Sequence, residues 1–456
     1  MQQSKKRPPM EKELKAEPAV KRPRVILRSC PDYQQDRISA ILKEAVGDLD
    51  LRIAGRVFIK PNVVTANRKY IHHSYTHPAV VAAMAEIVKA GTITSLTIGE
   101  SGGYGIPSRL FLRESGYLDM ARKIGVNLVD MNVHPVVPTE LSRARWHKRI
   151  LLPRHIAEAD FKIWMPKLKY HIFASVTNCL KLNIGILTHK ERMLYHDYRI
   201  HEKIVDLLEP GYPDLIVSDA IDITYGFESA PYPVHLGLLM IADHPLAADV
   251  VAAHIMGYDP HDIAHLRIAA ERGYGSLDLA DLDISGDIDL AELKARPKGQ
   301  PRLLQNLQAL ETPIRFFSGR AWDTGILCDG GCEGAVKGCL GTIEKRRPGA
   351  LKKARAGAIV CGVYDGDVIM PDGPVLLVGD CTRVLGKMEA RKVYRAGGCP
   401  IGARDLMLKL PWIFKLPSPM IDARDAQLFI WNTLIKVLQI VWYKILRRPL
   451  PEIRRT

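Results

Sequence analysis

From Arg24 to about Asp289 the chain alternates short β-branched apolar runs with longer helical ones, and this alternation restricts its fold more than any other feature. The runs are RVILRS, RVFIK, SLTIGE, NLVDM, FKIWM, DLIVSDA and LLMIAD. Helical segments such as HPAVVAAMAEIVKAG separate them, with Pro near the start and Gly at the end as helix boundaries require. The pattern predicts a doubly wound, mostly parallel α/β sheet over residues 24–290. Lys60, Glu100, Asp219 and Asp243 fall at the ends of strands. In open α/β sheets the carboxyl ends of strands face the ligand crevice, so these four are expected to look into one cleft.

At 456 residues the chain exceeds one ordinary core. The Pro- and cation-rich stretch LKARPKGQPRL suggests a linker over 291–304. A smaller Cys-containing α/β domain is expected over 305–410, with AGAIVCGVY and GPVLLVGD as strands. A terminal amphipathic segment is expected over 411–456.

The net charge of +14 would suggest nucleic acid, but it is concentrated at the ends. Residues 1–24 carry eight Lys/Arg against three Glu, and residues 444–456 carry five against one. The body is therefore only mildly basic, which argues against a nucleic-acid-binding face. Residues 1–23 read as a disordered basic tail without an apolar signal core, and the KKRP and KRPR clusters as a solvated arm more than a nuclear address. Six of the eight cysteines follow residue 327, and with no export context this points to a reduced, cytoplasmic protein. Residues 426–446 contain no acid, and Asn432, Lys436 and Gln439 recur at helical spacing among apolar residues, flanked by Trp, Tyr and Arg447-Arg448. Such a helix either lies in a membrane interface, docks on the body or spans a bilayer. Residues 410–448 are the expected site of peripheral contact on the inner face of a membrane.

The stretch Met165–His196 concentrates cations, amides and a hydroxyl beside apolar strand sequence. Buried cations are costly unless a negative partner meets them, so an anionic small-molecule ligand is the economical reading, against a salt-bridged structural network. Lys167, Lys169 and His171 alternate and share a face if the segment is extended. Lys181 and Asn183 share a face with Thr177 if VTNCLKLNIG is extended; Asn178 and Lys181 meet if it is helical. His189, Arg192, His196 and Arg199 form one stripe if their segment is helical. Lys60 and Asn62 stand at a strand end, either meeting a ligand or reaching solvent. Glu100 opens the glycine-rich GESGGYG, either an anion-approaching loop or a simple turn. The acids Asp219, Asp222, Asp243 and Asp249 either hold Mg²⁺ against a phosphorylated ligand or pair with the lysines. His171 and His196 are the candidate proton-transfer residues. The substrate-binding set is Lys60, Asn62, Glu100, Lys167, Lys169, Thr177, Asn178, Lys181, Asn183, Arg192 and Asp219.

The ordered words FIKPNVV, THP, GESGG, PKLKYH, VTNCLKLNIG, SDAIDITYG and ADHPLAADVVAAHIMGYDP resemble the family called domain of unknown function 362, over roughly residues 24–287. The resemblance implies the α/β fold and, since many relatives carry ferredoxin-like modules, an iron–sulfur association. The compact ferredoxin run of cysteines is absent here. Thiolates of Cys328, Cys332, Cys339, Cys381 and Cys399 in glycine-rich loops are instead candidate ligands for a cluster, [4Fe-4S] in type, or for structural zinc, or they are plain thiols. The leading expectation is an iron–sulfur oxidoreductase acting on an anionic organic substrate with an electron-transfer partner. The alternatives are Mg²⁺-dependent phosphoryl transfer or ligation, and a non-catalytic, metal-stabilised scaffold at the membrane.

Overall fold

The computed structural model describes residues 22–446 apart from 104–105, 190, 226–227, 229–231, 300–306, 323 and 419–422. The tail at 1–21 and Arg447-Arg448 therefore lie outside the described residues.

The first strands and helices follow one another as βα units: β1 (Arg24–Ser29), α1 (Gln35–Asp48), β2 (Gly55–Pro61), α2 (Pro78–Lys89), β3 (Ile93–Glu100), α3 (Ser108–Glu114), α4 (Tyr117–Ile124) and β4 (Asn127–Asp130). The entry of α2 shows the local chemistry. The His77 side chain accepts the Ala79 amide at 3.2 Å, and Pro78 occupies the first turn, where its missing N–H costs nothing. A hairpin of β5 (Val136–Glu140) and β6 (Arg149–Pro153), then the single turn α5 (Arg154–Ala157), lead to β7 (Phe161–Met165). Side chains alternate between two buried layers. Phe58 and Trp164 pack into one, while Val57, Ile59, Ile163 and Met165 pack into the other.

Pro166 then interrupts the strand. The chain resumes as β8 (Lys167–His171), turns into β9 (Ser175–Thr177) and enters the short helix α6 (Cys179–Leu182). Next come α7 (Ile200–Asp206), the long pair β10 (Leu215–Tyr225) and β11 (Tyr232–Ala242), α8 (Pro245–Ile255), α9 (Ala264–Glu271), β12 (Asp283–Gly286) and α10 (Leu290–Ala295). The sheet order is β12-β1-β11-β10-β7-β2-β3-β4, with β8 and β9 branching from β10. The run β10-β7-β2-β3-β4 is parallel, whereas β11 is antiparallel to both β10 and β1.

That antiparallel strand corrects one expectation. Because β11 runs the other way, its carboxyl end lies beside the start of β10, with Ile216 opposite Ala242. Asp243 therefore leaves the cleft and pairs with Arg24 at 2.9 Å. It cannot share a metal ion with Asp219. The segment expected as a linker from residue 291 also differs at its start. Asp289 caps α10 through the Ala291 amide at 2.6 Å, and Leu293 is fully buried in the first core.

A separate parallel sheet follows, formed by β13 (Ile314–Ser318), then, after the helix α11 (Gly334–Arg346), by β14 (Gly357–Tyr364), β15 (Val368–Val384) and β16 (Met388–Ala396). The connections on either side of β15 are too short for crossover helices. The 17-residue β15 instead pairs along its start with β16 alone, along its middle with both neighbours and at its end with β14 alone, so the chain coils. Helix α11 and the next helix, α12 (Ala403–Phe414), cover this sheet with Val336, Leu340, Ile343, Leu406, Leu410 and Phe414. The chain closes with α13 (Ala423–Ile445).

Candidate functional site

Two buried ion pairs stand at the carboxyl ends of the parallel strands. The Lys60 Nζ, which ends the apolar run of β2, meets Glu100 Oε2 from β3 at 3.0 Å. Glu100 also accepts the amides of Val63 at 3.0 Å and Ser101 at 2.7 Å. On the branch, Lys167 Nζ meets Asp219 Oδ1 at 2.9 Å with both side chains fully buried. The Tyr33 hydroxyl lies 2.9 Å from Lys167 Nζ, and the His77 amide donates to Asp219 at 2.8 Å. Lys60, Glu100, Lys167 and Asp219 thus reach the expected end of the sheet with their charges already matched.

Three further cations lack a direct ion pair, although the Glu228 carboxyl favours the charged forms of Lys169 and Lys181, and Glu100 and Asp130 that of Arg192. Among the described residues no carboxylate lies within ion-pair distance of Lys169, Lys181 or Arg192. Lys169 Nζ donates only to Asn62 Oδ1 at 2.9 Å and the Ser74 carbonyl at 2.6 Å. Lys181, on α6, places its ammonium 5.7 Å from the centre of the Phe173 ring. Arg192 donates to the carbonyls of Ser101 and Gly102. Burial pulls Lys169 down to about 7, with the Lys181 ammonium adding to the fall. Burial likewise pulls Lys181 to about 8 and Arg192 to about 10.

The same region holds polar atoms left without a partner among the described residues: Thr177 Oγ1, Thr224 Oγ1, Arg192 Nε, His196 Nδ1 and Glu228 Oε2. Thr177 and Thr224 flank Lys169 in the adjacent strands, so all three share a face. Native interiors satisfy nearly all buried polar groups, so such a cluster is unusual for a core with a purely structural role. The His171 Nδ1 accepts the amides of Phe173 and Ala174 at 3.4 and 3.3 Å, which leaves the neutral ring's proton on Nε2, 3.8 Å from Glu228 Oε1. Burial and the flanking Lys181 and Lys169 hold His171 well below the usual histidine range, and burial with Lys203 and Lys181 does the same to His196.

Other expected residues are committed to the scaffold. Asn178 bonds Ser218 Oγ at 2.8 Å and the Ala248 carbonyl at 3.3 Å, and Asn183 Oδ1 accepts from Trp164 Nε1 at 2.7 Å. Asp249 accepts the first amides of α6, from Cys179 and Leu180, at 2.7 and 3.0 Å. His189, Arg192, His196 and Arg199 do not form a helical stripe. The segment makes one 3₁₀ turn at Glu191–Met193, and its loop carbonyls, at residues 192 and 194, are held by the buried Lys203 ammonium. Arg192 and His196 still reach Lys181, whereas Arg199 turns away to Asp197. Sequence reasoning missed Tyr33, Thr224 and Glu228. The last two lie within or just after the strand whose SDAIDITYG was already singled out, where alternation from Asp222 selects Thr224.

Four of the five expected cysteine ligands gather. Cys332 interacts electrostatically with Cys328, Cys381 and Cys399, while Cys339 has no cysteine neighbour of this kind and burial alone pushes it up to about 12. The backbone N–H groups of Cys332 and Tyr198 point at Cys328 sulfur. A Cβ at Gly331 would stand 2.7 Å from that sulfur, and one at Gly379 would stand 2.5 Å from the Cys332 sulfur, so both positions demand glycine. Among the described residues no group of three or more His, Cys, Asp or Glu is arranged to hold a metal ion. Single-ion zinc sites draw four thiolates to about 2.3 Å from the metal. A multi-iron cluster spreads its ligands more widely, because its own irons and sulfides fill the centre.

Fold and site together define an α/β protein with a buried, cation-rich polar cluster beside a cysteine-bearing parallel sheet. The family described as domain of unknown function (DUF362) matches residues 57–254. A thylakoid-associated protein of Synechocystis sp. is 28% identical over 217 residues, 46% of this chain. The match spans 65% of that relative's length. Among solved structures, the lactate racemase apoprotein from Thermoanaerobacterium thermosaccharolyticum is similar over 85% of this chain and 90% of that one, at 12% identity and a TM-score of 0.35. A Thermotoga maritima protein is similar over 72% and 70% respectively, at 11% identity and a TM-score of 0.32.

Proposed function

We propose that the α/β domain binds an anionic organic substrate in the pocket around Lys169 and that the chain acts on it as a redox enzyme. The observation that carries the binding half is the surplus of buried positive charge: Lys169, Lys181 and Arg192 form no direct ion pair, the Glu228 carboxyl is a single charge shared between the two lysines, and the hydroxyls of Thr177 and Thr224 and the His196 Nδ1 beside them lack partners among the described residues. A dianion would neutralise the lysines, and the Thr177 and Thr224 hydroxyls would orient it. Lys169, near its own titration point at neutral pH, and His171, carrying its proton on Nε2, are suited to move a proton to or from the bound molecule. Malonate tests the pocket, because both its carboxyls are ionised at neutral pH. The expected result is a saturable thermal shift that Lys181→Ala weakens at least tenfold, with unchanged circular dichroism. An unchanged affinity would remove the pocket from the proposal.

The redox half rests on the cysteines. Cys328, Cys332, Cys381 and Cys399 would hold an iron–sulfur cluster, whose chemistry is the gain and loss of single electrons for an electron-transfer partner. Tyr198, whose amide faces Cys328, is two residues from His196, so one short segment joins the cysteine group to the pocket. In anaerobically purified protein we expect Cys332→Ser to lose most of the iron and the visible absorption, and Cys339→Ser to keep both. Equal retention in the two variants would overturn this ligand assignment. We place the protein in the cytoplasm at the inner face of a membrane; the name of the Synechocystis relative supports the membrane association alone.

A further inference from the structure

Helix α13 is mounted with its amphipathicity reversed. The polar positions Asp425, Asn432, Lys436, Gln439 and Tyr443 face the body, and Asn432 is the buried one at 1% exposure. The opposite face presents Ile430, Trp431, Leu434, Leu438, Trp442 and Ile445, each more than half exposed. A helix that merely completed the protein's own core would bury these and expose the polar stripe. Both ends are pinned: Arg424 pairs with Glu114 and Asp425 with Arg346, each at 2.9 Å, while the Tyr443 hydroxyl meets His134 Nδ1 at 3.3 Å. The axis therefore runs along the protein surface for 23 residues, or about 35 Å at the helical rise. With its polar face held by the body, α13 is not arranged to cross a bilayer.

Charge and residue type select the occupant of the apolar face. Residues 426–446 contain no acid, and residues 444–456 carry five cations against one acid. A second copy would bring like charges together, whereas an anionic surface complements them. Trp431 and Trp442 suit the layer where headgroups meet hydrocarbon. We infer that α13 lies flat in the headgroup layer of a membrane containing anionic lipids, its apolar face inserted and its polar face kept on the α/β body. This deepens the membrane placement proposed above and is independent of the pocket chemistry.

The test uses the full chain with vesicles of phosphatidylcholine, alone or with phosphatidylglycerol, and co-sedimentation as the readout. We expect binding to the anionic vesicles, a tenfold or greater loss in Leu438→Glu and in Trp442→Glu, and little change in Tyr443→Phe. Circular dichroism and the malonate shift should survive in all three. Failure of the parent protein to bind any vesicle would overturn the membrane placement itself. Binding that both glutamate variants retain would overturn only the role of α13. Equal binding to neutral vesicles would overturn the lipid class. A dimeric mass in solution that Trp442→Glu reduces to a monomer, without vesicle binding, would assign the face to a second copy and overturn the inference.

Discussion

Lys60→Met is expected to lower the unfolding free energy by about 3–5 kcal/mol. The ammonium is fully buried and faces Glu100 at 3.0 Å, so the substitution strands a carboxylate that is itself only 5% exposed. The amides of Val63 and Ser101 still donate to Glu100, which keeps the loss within that range. The double substitution Lys60→Met with Glu100→Gln should recover most of the stability, because a neutral amide no longer needs a cation. Denaturant midpoints for parent, single and double variants measure the coupling. A mild single variant, or a double variant worse than the sum of its parts, would show that the pair is not the buried unit seen here. Gly185→Ala should disturb the same pair, since its Cβ would lie 2.7 Å from Lys60 Nζ.

That pair also shows which parts of the site can be read from the chain alone. Lys60 and Glu100 close apolar strands, and the rule that parallel strands point their carboxyl ends at one crevice brings both to one end of the sheet, though it does not foretell that they pair with each other. The same rule fails for Asp243, because no local pattern distinguishes an antiparallel β11 from another parallel strand. Both are apolar and buried on two faces. Alternation places Lys167, Lys169 and His171 on one strand, but the strand exists only because Pro166 breaks β7 and lets β8 pair with β10. Which lysine is matched depends on that pairing: Lys167 lies opposite Asp219 in register, and Lys169 lies opposite Thr224. The irregular segment from Glu191 to Arg199 carries Arg192 and His196 towards Lys181 by loop geometry held by Lys203, a long-range effect with no periodic signature. Glycine-rich spacing flags the cysteines together, and only the fold shows that Cys339 faces the core from α11, apart from the other four ligand candidates.

A second large effect concerns pH, where one lysine should drive two opposite slopes. Lys169 titrates at about 7 in the folded protein against the ordinary value of 10.5, because burial and the Lys181 ammonium disfavour its charge. Between those values the unfolded chain binds one proton more than the folded one, so stability from this group rises with pH. The rise is about 1.4 kcal/mol per pH unit for one proton. Other groups titrate nearby, notably Asp249 and Glu191, both pushed up to about 7 by burial, and the buried thiols above. Comparison with Lys169→Met cancels them, and the parent should gain on the variant by nearly that amount from pH 7.5 to 8.5. Malonate affinity should move the other way in the parent, falling towards tenfold per unit as the ammonium is lost, while the variant binds weakly with a shallower slope. The stability gap follows from burial alone, but the affinity slope requires the ammonium to face the guest. A parent whose malonate affinity stays level across this range, with the stability gap intact, would leave Lys169 a buried structural amine and take the anion away from it.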